Sequence, residues 1–261
     1  MPRIASLHIY PVKSLRGFSV DEAVVECRGF AHDRRFMIVD TEGQFMTQRS
    51  RPRMAQIAAL IEGNELVIDW NGQQSAVPLL GDGPEVSVRV WSSEVKALHI
   101  SGANRLLSEA LGISCRLVRM PDSSIRPTSS DVSQDGDHVS FADGFPILLA
   151  NIASLRNLSE RAEQEFPMAR FRPNLVIEDA EPWSEDGMTT IRIGDLTFRN
   201  VKPCIRCSVT TLDQETGDAR GPEPLATLAK FRRLEKGVAF GSNLIPDAEG
   251  TIRVGDLVQS E

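Results

Sequence analysis

The stretch Pro203-Cys204-Ile205-Arg206-Cys207-Ser208-Val209-Thr210-Thr211 places two thiols and a guanidinium within four consecutive residues. The chain has four cysteines, so half of its thiols lie here. The residues that follow, Ser208–Leu212, favour extended structure, and we predict a strand over them. A thiolate beside a fixed positive charge can bind a soft metal or attack an electrophile.

Short apolar or alternating runs dominate both ends of the chain, with Gly, Asp and Asn between them. The clearest hairpin joins Leu66–Trp70 to Ser75–Pro78 through Asn71-Gly72, a dipeptide typical of tight β-turns. The predicted strands are Ala5–Tyr10, Ala23–Cys27, Arg35–Val39, Ile57–Ile61, Leu66–Trp70, Ser75–Pro78, Val86–Trp91, Val95–Ile100, Leu175–Ile177, Thr190–Ile193, Leu196–Phe198, Ser208–Leu212, Val238–Phe240 and Thr251–Val258.

Three segments have helical spacing of apolar residues or helix-boundary residues. They are Ala103–Leu111 before Gly112, Ile152–Phe166 after the capping residue Asn151, and Leu225–Leu234 after Pro224. A regular alternation of strand and helix is missing, which argues against a doubly wound parallel sheet. We predict a mainly β fold of the α+β class, with barrels and flanking helices.

Composition narrows the class of protein. The 261 residues carry a formal net charge of −7, which argues against nonspecific nucleic-acid binding. An apolar content of 41% with 25% charged residues is typical of a soluble globular protein. We find no secretory signal and no apolar run of the roughly 18 to 20 residues that span a bilayer, so we expect no membrane partner. Sparse cysteines suit a reducing cytoplasm.

The Cys204–Cys207 pair admits several interpretations when taken alone. A dithiol redox pair would open a helix, whereas β-forming residues follow here. A zinc site would need a second ligand pair, and the remaining cysteines and the four histidines are scattered. Two half-buried structural cysteines are the plainest alternative. A polar segment at 121–137 is either an active-site flap or a surface connection.

Four other segments carry charged or amide side chains beside predicted strands. Each is weak evidence of a site when taken alone, because exposed Lys and Arg are common in turns. They are Tyr10-Pro11-Val12-Lys13-Ser14, His32-Asp33-Arg34-Arg35-Phe36, Phe171-Arg172-Pro173-Asn174 and Phe240-Gly241-Ser242-Asn243-Leu244.

In this order, together with the turn at 210–217 and the terminal Val254-Gly255-Asp256, the segments resemble the MOSC family of molybdenum-cofactor-binding β-barrel proteins. The resemblance covers nearly the whole chain and is greatest to the amidoxime-reducing branch and its bacterial relatives. It implies a smaller N-terminal MOSC-associated β-barrel over 1–120 and a MOSC domain over 121–261. The first strand and the Lys13-Ser14 turn are expected to contribute to the cofactor pocket.

The resemblance also implies roles for single residues. Cys207 would be the molybdenum ligand and catalytic residue. Cys204 would be structural or would support Cys207 without binding the metal itself. Arg35 is preferred to Arg34 because it directly precedes Phe36. The residues expected to bind molybdopterin, whose phosphate favours charged donors, are Lys13, Ser14, Arg35, Asn151, Arg172, Asn174, Arg206 and Asn243.

The implied function is a molybdenum-cofactor-dependent oxidoreductase that reduces N-hydroxylated or N-oxygenated small molecules. The sequence has no clustered cysteines for an iron–sulfur centre, so electrons would come from a separate ferredoxin, flavodoxin or cytochrome b5-like system. Pyridoxal phosphate is not expected. One alternative is a non-catalytic carrier of the cofactor or of sulfur, and a second is a thiol oxidoreductase that uses both cysteines.

Overall fold

The computed structural model describes residues 1–128, 131–219 and 221–260. The helices are α1 (Asn104–Leu111), α2 (Ile152–Ala162) and α3 (Leu225–Phe231). The strands are β1 (Arg3–Ile9), β2 (Phe18–Val20), β3 (Glu22–Glu26), β4 (Gly29–Phe30), β5 (Phe36–Val39), β6 (Ala58–Glu62), β7 (Glu65–Trp70), β8 (Gln73–Pro78), β9 (Glu85–Val90), β10 (Ser93–Ile100), β11 (Arg116–Arg119), β12 (Ile147–Asn151), β13 (Leu175–Glu178), β14 (Thr190–Ile193), β15 (Leu196–Ile205), β16 (Arg233–Leu234), β17 (Gly237–Pro246), β18 (Gly250–Arg253) and β19 (Val258–Ser260).

The largest sheet has the strand order β19-β14-β15-β17-β12-β13-β1-β2, with β16 paired to β17. Strand β1 runs antiparallel to β13, with Leu7 opposite Leu175, although the two residues are far apart in sequence. Strand β12 is parallel to β13, and α2 supplies part of the crossover between them. The start of the chain therefore belongs to the sheet that the C-terminal half builds.

Smaller sheets complete the fold. Their orders are β5-β11-β10-β9, β6-β7-β8 and β18-β3-β4. One hydrophobic core lies among the N-terminal sheets and α1 and includes Phe36, Met54 and Leu107. Another lies between the large sheet and the β18-β3-β4 sheet and includes Leu7, Phe198 and Ile252. The prediction of a mainly β fold with few helices is confirmed.

Local signals explain several boundaries. The predicted hairpin is present as β7 and β8, and both Asn71 (φ 53°) and Gly72 (φ 79°) take the left-handed conformation that this turn requires. Helix α1 ends at Leu111, and the capping residue Gly112 that follows is also left-handed (φ 66°). Among the described residues, no helix is long and apolar enough to cross a bilayer.

Two helix ends and two strands were predicted wrongly. The predicted strand Thr251–Val258 is divided, because β18 ends at Arg253 and β19 begins at Val258 in a different sheet. Helix α2 ends at Ala162 instead of continuing to Phe166, because Glu163 turns left-handed. Helix α3 ends at Phe231, and Arg233 begins a short strand against β17.

The predicted strand at Ser208–Leu212 is a 3₁₀ turn over Ser208–Thr211. The Thr210 and Thr211 hydroxyls donate hydrogen bonds to the carbonyls of Cys207 and Ser208, at 3.0 and 2.8 Å. Such short-range side-chain bonds compete with strand pairing and override the β propensity of these residues.

The two halves of the chain are joined by buried polar contacts. The amides of Gln48 and Gln214 exchange two hydrogen bonds, at 3.2 and 3.1 Å, and both side chains are buried. Nearby, Gly217 (φ 75°) approaches Pro52 so closely that a Cβ would lie 2.9 Å from the Pro52 carbonyl oxygen. These contacts fix the segment at 47–56 against the loop that follows Cys207.

Candidate functional site

A cavity of about 140 Å³ lies where loops from both halves of the chain meet. Its lining contains five basic side chains and one acidic one, although the whole chain is acidic. A cavity with this balance attracts anions. The lining residues are Lys13, Ser14, Arg34, Thr47, Arg49, Ala142, Asp143, Gly144, Phe145, Leu148, Phe171, Arg172, Asn174, Cys204, Arg206, Cys207, Val209 and Asn243.

The two cysteines of the cavity differ in their contacts. Cys204 lies on β15, and its Sγ accepts a hydrogen bond of 2.9 Å from the Arg206 guanidinium. Cys207 lies directly before the 3₁₀ turn, and no described residue makes a hydrogen bond to its Sγ. Both thiols are free. The Cys207 thiol is thus the one left available to an external partner.

Arg206 is fixed in a bridging position. Its guanidinium also donates to the Phe171 carbonyl at 2.7 Å, and its backbone N–H donates to the Val238 carbonyl at 2.8 Å. The hydrogen bonds of the Arg206 guanidinium reach Cys204 and Phe171. Among the described residues, this guanidinium makes no hydrogen bond to the Cys207 thiol.

Lys13 and Asp143 form an ion pair at the cavity wall. The Lys13 ammonium, which is buried, donates to the Phe141 carbonyl at 2.8 Å and to the Asp143 carboxylate. Burial lowers the pKa of Lys13, and Asp143 opposes that effect. Partial removal of the half-exposed Asp143 carboxylate from water would raise its pKa, but the charge and hydrogen bond of Lys13 outweigh this effect and lower that pKa. Asp143 is therefore ionised near neutral pH.

Tyr10 packs against two cavity arginines. The guanidinium carbons of Arg34 and Arg172 lie 4.4 and 4.3 Å from the centre of its ring. The ring's negative faces stabilise both cations, and the volume of the ring sets the spacing between them. Burial lowers the pKa of Arg172 to about 10, so it stays charged at neutral pH.

Arg34 is held from behind by a buried carboxylate and an amide. Its guanidinium contacts Asp33 and donates to Asn174 Oδ1 at 2.9 Å and to the Arg172 carbonyl at 3.3 Å. Burial raises the pKa of Asp33, and the Arg34 charge opposes this. Asn174 also accepts from the Leu148 N–H at 3.2 Å. These bonds fix Arg34 in the wall of the cavity.

Most of the predicted site residues line the cavity, and two do not. Asn151 is fully buried, where its side chain accepts from the Ala153 N–H at 2.9 Å and donates to Glu181 and Glu185. It caps α2 and lies outside the lining. The predicted residues that do line the cavity are Lys13, Ser14, Arg172, Asn174, Arg206, Cys207 and Asn243.

Arg35 is the second predicted residue outside the lining. Its guanidinium pairs with Asp122, whereas its neighbour Arg34 lines the cavity. Strand β5 begins only at Phe36, and Arg34 has a left-handed backbone (φ 49°). A simple alternation of faces therefore does not extend back to these arginines.

Sequence reasoning missed the support of the loop that carries Asp143. The buried Arg126 guanidinium donates to the carbonyls of Ser140, Ala142 and Asp143, at 2.9, 2.6 and 2.9 Å. Arg126 lies in the segment predicted as a flap or surface connection, of which Ser129 and Ser130 lie outside the described residues. In the sequence, this role is indicated by no more than the presence of an arginine within a polar segment.

Family models match most of the chain. The MOSC N-terminal beta barrel domain matches residues 1–114, and the MOSC domain matches residues 136–259. The chain belongs to the MOSC family. This bears out the family resemblance of the motifs.

Curated relatives of this MOSC protein fall into two groups. Over 98% of this chain, it is 33% identical to mitochondrial amidoxime-reducing component 1 of Mus musculus and 30% identical to that of Homo sapiens, covering 81% and 82% of those proteins. It is also 29% identical to molybdenum cofactor sulfurase of Solanum lycopersicum, over 98% of this chain. That match spans 35% of the sulfurase, about a third of its length.

The cavity's donor set suits a cofactor that brings its own metal ligands. In the described parts of the chain, no group of three or more His, Cys, Asp or Glu side chains could hold a metal ion by itself. The cavity instead offers one unpartnered thiol, a soft ligand, beside guanidinium and ammonium groups that suit a phosphate. These residues fit a molybdenum–pterin group.

Proposed function

We propose that this MOSC protein is a molybdenum-cofactor-dependent reductase of N-hydroxylated small molecules that receives electrons from a separate redox protein. The observation that carries the proposal is the juxtaposition of the free Cys207 thiol with the five basic side chains of the cavity. The match over 98% of the chain to amidoxime-reducing components supports the same reaction class.

In this proposal Cys207 supplies the protein's thiolate ligand to the metal. Lys13, Arg34 and Arg172 bind the phosphate and the polar edge of the pterin through charge-assisted hydrogen bonds. Arg34 takes the place that the sequence motif suggested for Arg35. Ser14, Asn174 and Asn243 would add polar donors and acceptors, and Arg206 engages the Cys204 thiol in a hydrogen bond.

When bound, the molybdenum group supplies the two-electron chemistry. The overall reaction consumes two electrons and two protons, breaks the N–O bond, and releases water and the reduced nitrogen compound. Asp143 stays ionised because Lys13 lowers its pKa. We therefore assign Asp143 to hold Lys13 and the Trp91 indole, whose Nε1 donates to it at 3.3 Å, instead of delivering a proton.

The test is reduction of benzamidoxime or 6-hydroxylaminopurine with dithionite-reduced viologen as donor. Protein from a cofactor-competent host is compared with Cys207→Ala and with the matched control Cys204→Ala. We expect turnover in the wild type and in Cys204→Ala and none in Cys207→Ala. Molybdenum content, measured on the same samples, should follow the same order.

Three results would contradict the proposal. Protein that never carries molybdenum would exclude the cofactor. Stoichiometric cofactor without turnover would favour a carrier of the cofactor or of sulfur, the alternative that the sulfurase match supports. Equal loss in both cysteine variants, with a reversible disulfide, would favour the thiol oxidoreductase.

The place of action and the physiological partner also belong to the proposal. We assign the protein to the cytoplasm, with a ferredoxin, a flavodoxin or a cytochrome b5-like system as donor. Activity of each candidate donor with the loaded protein is the direct measurement.

A further inference from the structure

One face beside the cavity mouth is basic and aromatic although the protein is acidic overall. We define the basic rim as Arg49, Arg51, Arg53 and Trp91. The three arginines are exposed and follow one another at alternate positions, and the Trp91 side chain is 39% exposed. From the charge and placement of this rim, we propose that it is the docking surface for the acidic face of a small electron-transfer protein.

The charges of the rim are available to a partner. Among the described residues, no carboxylate lies within ion-pair distance of the three guanidiniums. The guanidiniums of Arg51 and Arg53 donate to the carbonyls of Ser50 and Ala110, at 3.4 and 3.3 Å. A basic cluster without ion-pair partners is a local exception on a protein of net charge −7 and orients an incoming anionic surface.

The rim is also continuous with the cavity. Arg49 lines the cavity, and its guanidinium carbon lies 4.3 Å from the centre of the Trp91 ring. The Trp91 indole in turn donates to Asp143 in the cavity lining and packs on Phe45, with ring centres 5.0 Å apart. A partner seated on Trp91 would therefore be one side chain removed from the cavity.

The composition of the rim suits a transient protein complex. Tryptophan and arginine are the residues that most often dominate protein interfaces, and redox encounters use small, charged contacts. The segment that carries the three arginines packs against the loop that follows Cys207 through Gln48 and Pro52. A preformed surface reduces the entropy lost on binding. Proximity to the cavity favours a donor protein over a lipid surface.

This inference rests on the proposed function, because it names the partner of the same site. Its test uses the charge-change variant Arg51→Glu/Arg53→Gln, which leaves Arg49 and Trp91 in place. Gln is chosen at position 53 because a carboxylate there would face the C-terminal carbonyls of α1. The matched control is Arg192→Glu/Arg253→Gln, which makes the same charge change at exposed positions on β14 and β18.

The experiment measures binding and turnover separately. Binding of acidic forms of a flavodoxin, a ferredoxin and a soluble cytochrome b5 domain is measured by calorimetry at low ionic strength. We expect at least one donor protein to bind the wild type and the control variant with equal affinity. The same donor should bind the rim variant at least about tenfold more weakly. The difference should shrink as salt screens the charges. Turnover with reduced viologen should be unchanged in the rim variant.

Several outcomes would overturn the docking surface. They are equal binding to wild type and rim variant, no binding of any acidic donor to wild type, or equal loss in the control. Rim-dependent sedimentation with phosphatidylserine vesicles, without donor binding, would assign the rim to a membrane instead. If viologen-driven turnover is absent from the wild type, the proposed reductase fails, while the binding measurement still decides the rim.

Discussion

Two cations that the N-terminal half contributes to the cavity, Lys13 and Arg34, are held tightly, whereas the Cys207 thiol from the C-terminal half is not. Lys13 and Arg34 each make at least two hydrogen bonds or ion pairs with described residues. The Cys207 thiol makes none with any part of the chain that the structure describes. Fixed charges recognise an anion without reorganisation, while an uncommitted thiol remains free to form a bond. The predictions below test this division of labour.

The largest expected effect comes from exchanging the two cysteines for serine, one at a time. Cys207→Ser removes the proposed soft ligand, and we expect bound molybdenum to fall by more than about a hundredfold, beyond the usual cost of losing an outer-shell contact. Cys204→Ser should retain most of the metal, because its partner is Arg206. Elemental analysis of purified protein gives the answer. Equal metal loss in both would break the comparison.

The next effect concerns the neighbouring arginines. Arg34→Ala removes a charge-assisted donor from the cavity, so we expect roughly a tenfold to hundredfold weaker retention of the cofactor. Arg35→Ala is the matched control, since its guanidinium pairs with Asp122 outside the lining. Release of the pterin during gel filtration, followed by fluorescence, measures retention. A larger loss in Arg35→Ala would reverse the assignment.

Tyr10 tests whether the cations need their spacer. Tyr10→Leu removes the ring between Arg34 and Arg172, and we expect a loss of about 1 to 4 kcal/mol in the free energy of unfolding. Tyr10→Phe keeps the ring and should cost less. Urea unfolding of the three proteins provides the comparison. Equal losses in both variants would assign the effect to the hydroxyl.

The smallest effect is a pH dependence. The pKa of Asp143 is lowered in the folded protein, so its stabilising contribution is present above its unfolded pKa of about 3.9 and is lost as the pH falls below it. Because its side chain is 64% exposed, we expect Asp143→Asn to cost only about 1 kcal/mol at neutral pH. Urea titrations at neutral and acidic pH should show the difference disappearing in acid. A constant difference would show that charge is not its source.

Patterns in the sequence predicted the fold class and the turns because those depend on local chemistry. The hairpin turn at Asn71-Gly72 and the end of α1 at Gly112 both require a left-handed backbone. Asn and Gly adopt this conformation more readily than other residues. The 3₁₀ turn after Cys207 was missed because the hydroxyls of Thr210 and Thr211 bond backwards, which residue propensities do not report. The cavity lining contains Arg34 and not the predicted Arg35, and the left-handed Arg34 just before a strand leaves no signal of this in the sequence.

Long-range contacts set the other limit. The role of Arg126 depends on three carbonyls brought to it by the fold. The docking of Gln48 on Gln214 likewise joins segments far apart in the chain. Neither contact produces a periodic pattern in the sequence from which it could be predicted. Asn151 shows the opposite case, because its type and position predicted a helix cap that the structure contains.

The pairing of β1 with β13 has a consequence for how the protein is made. Leu7 cannot meet Leu175 until most of the chain has left the ribosome. Until then Lys13, which follows β1, lacks the strand that anchors it beside the other cavity residues. Closing so long a loop is slow relative to local folding. The cavity therefore forms late in synthesis, and a cofactor that needs both halves can enter only a nearly finished protein.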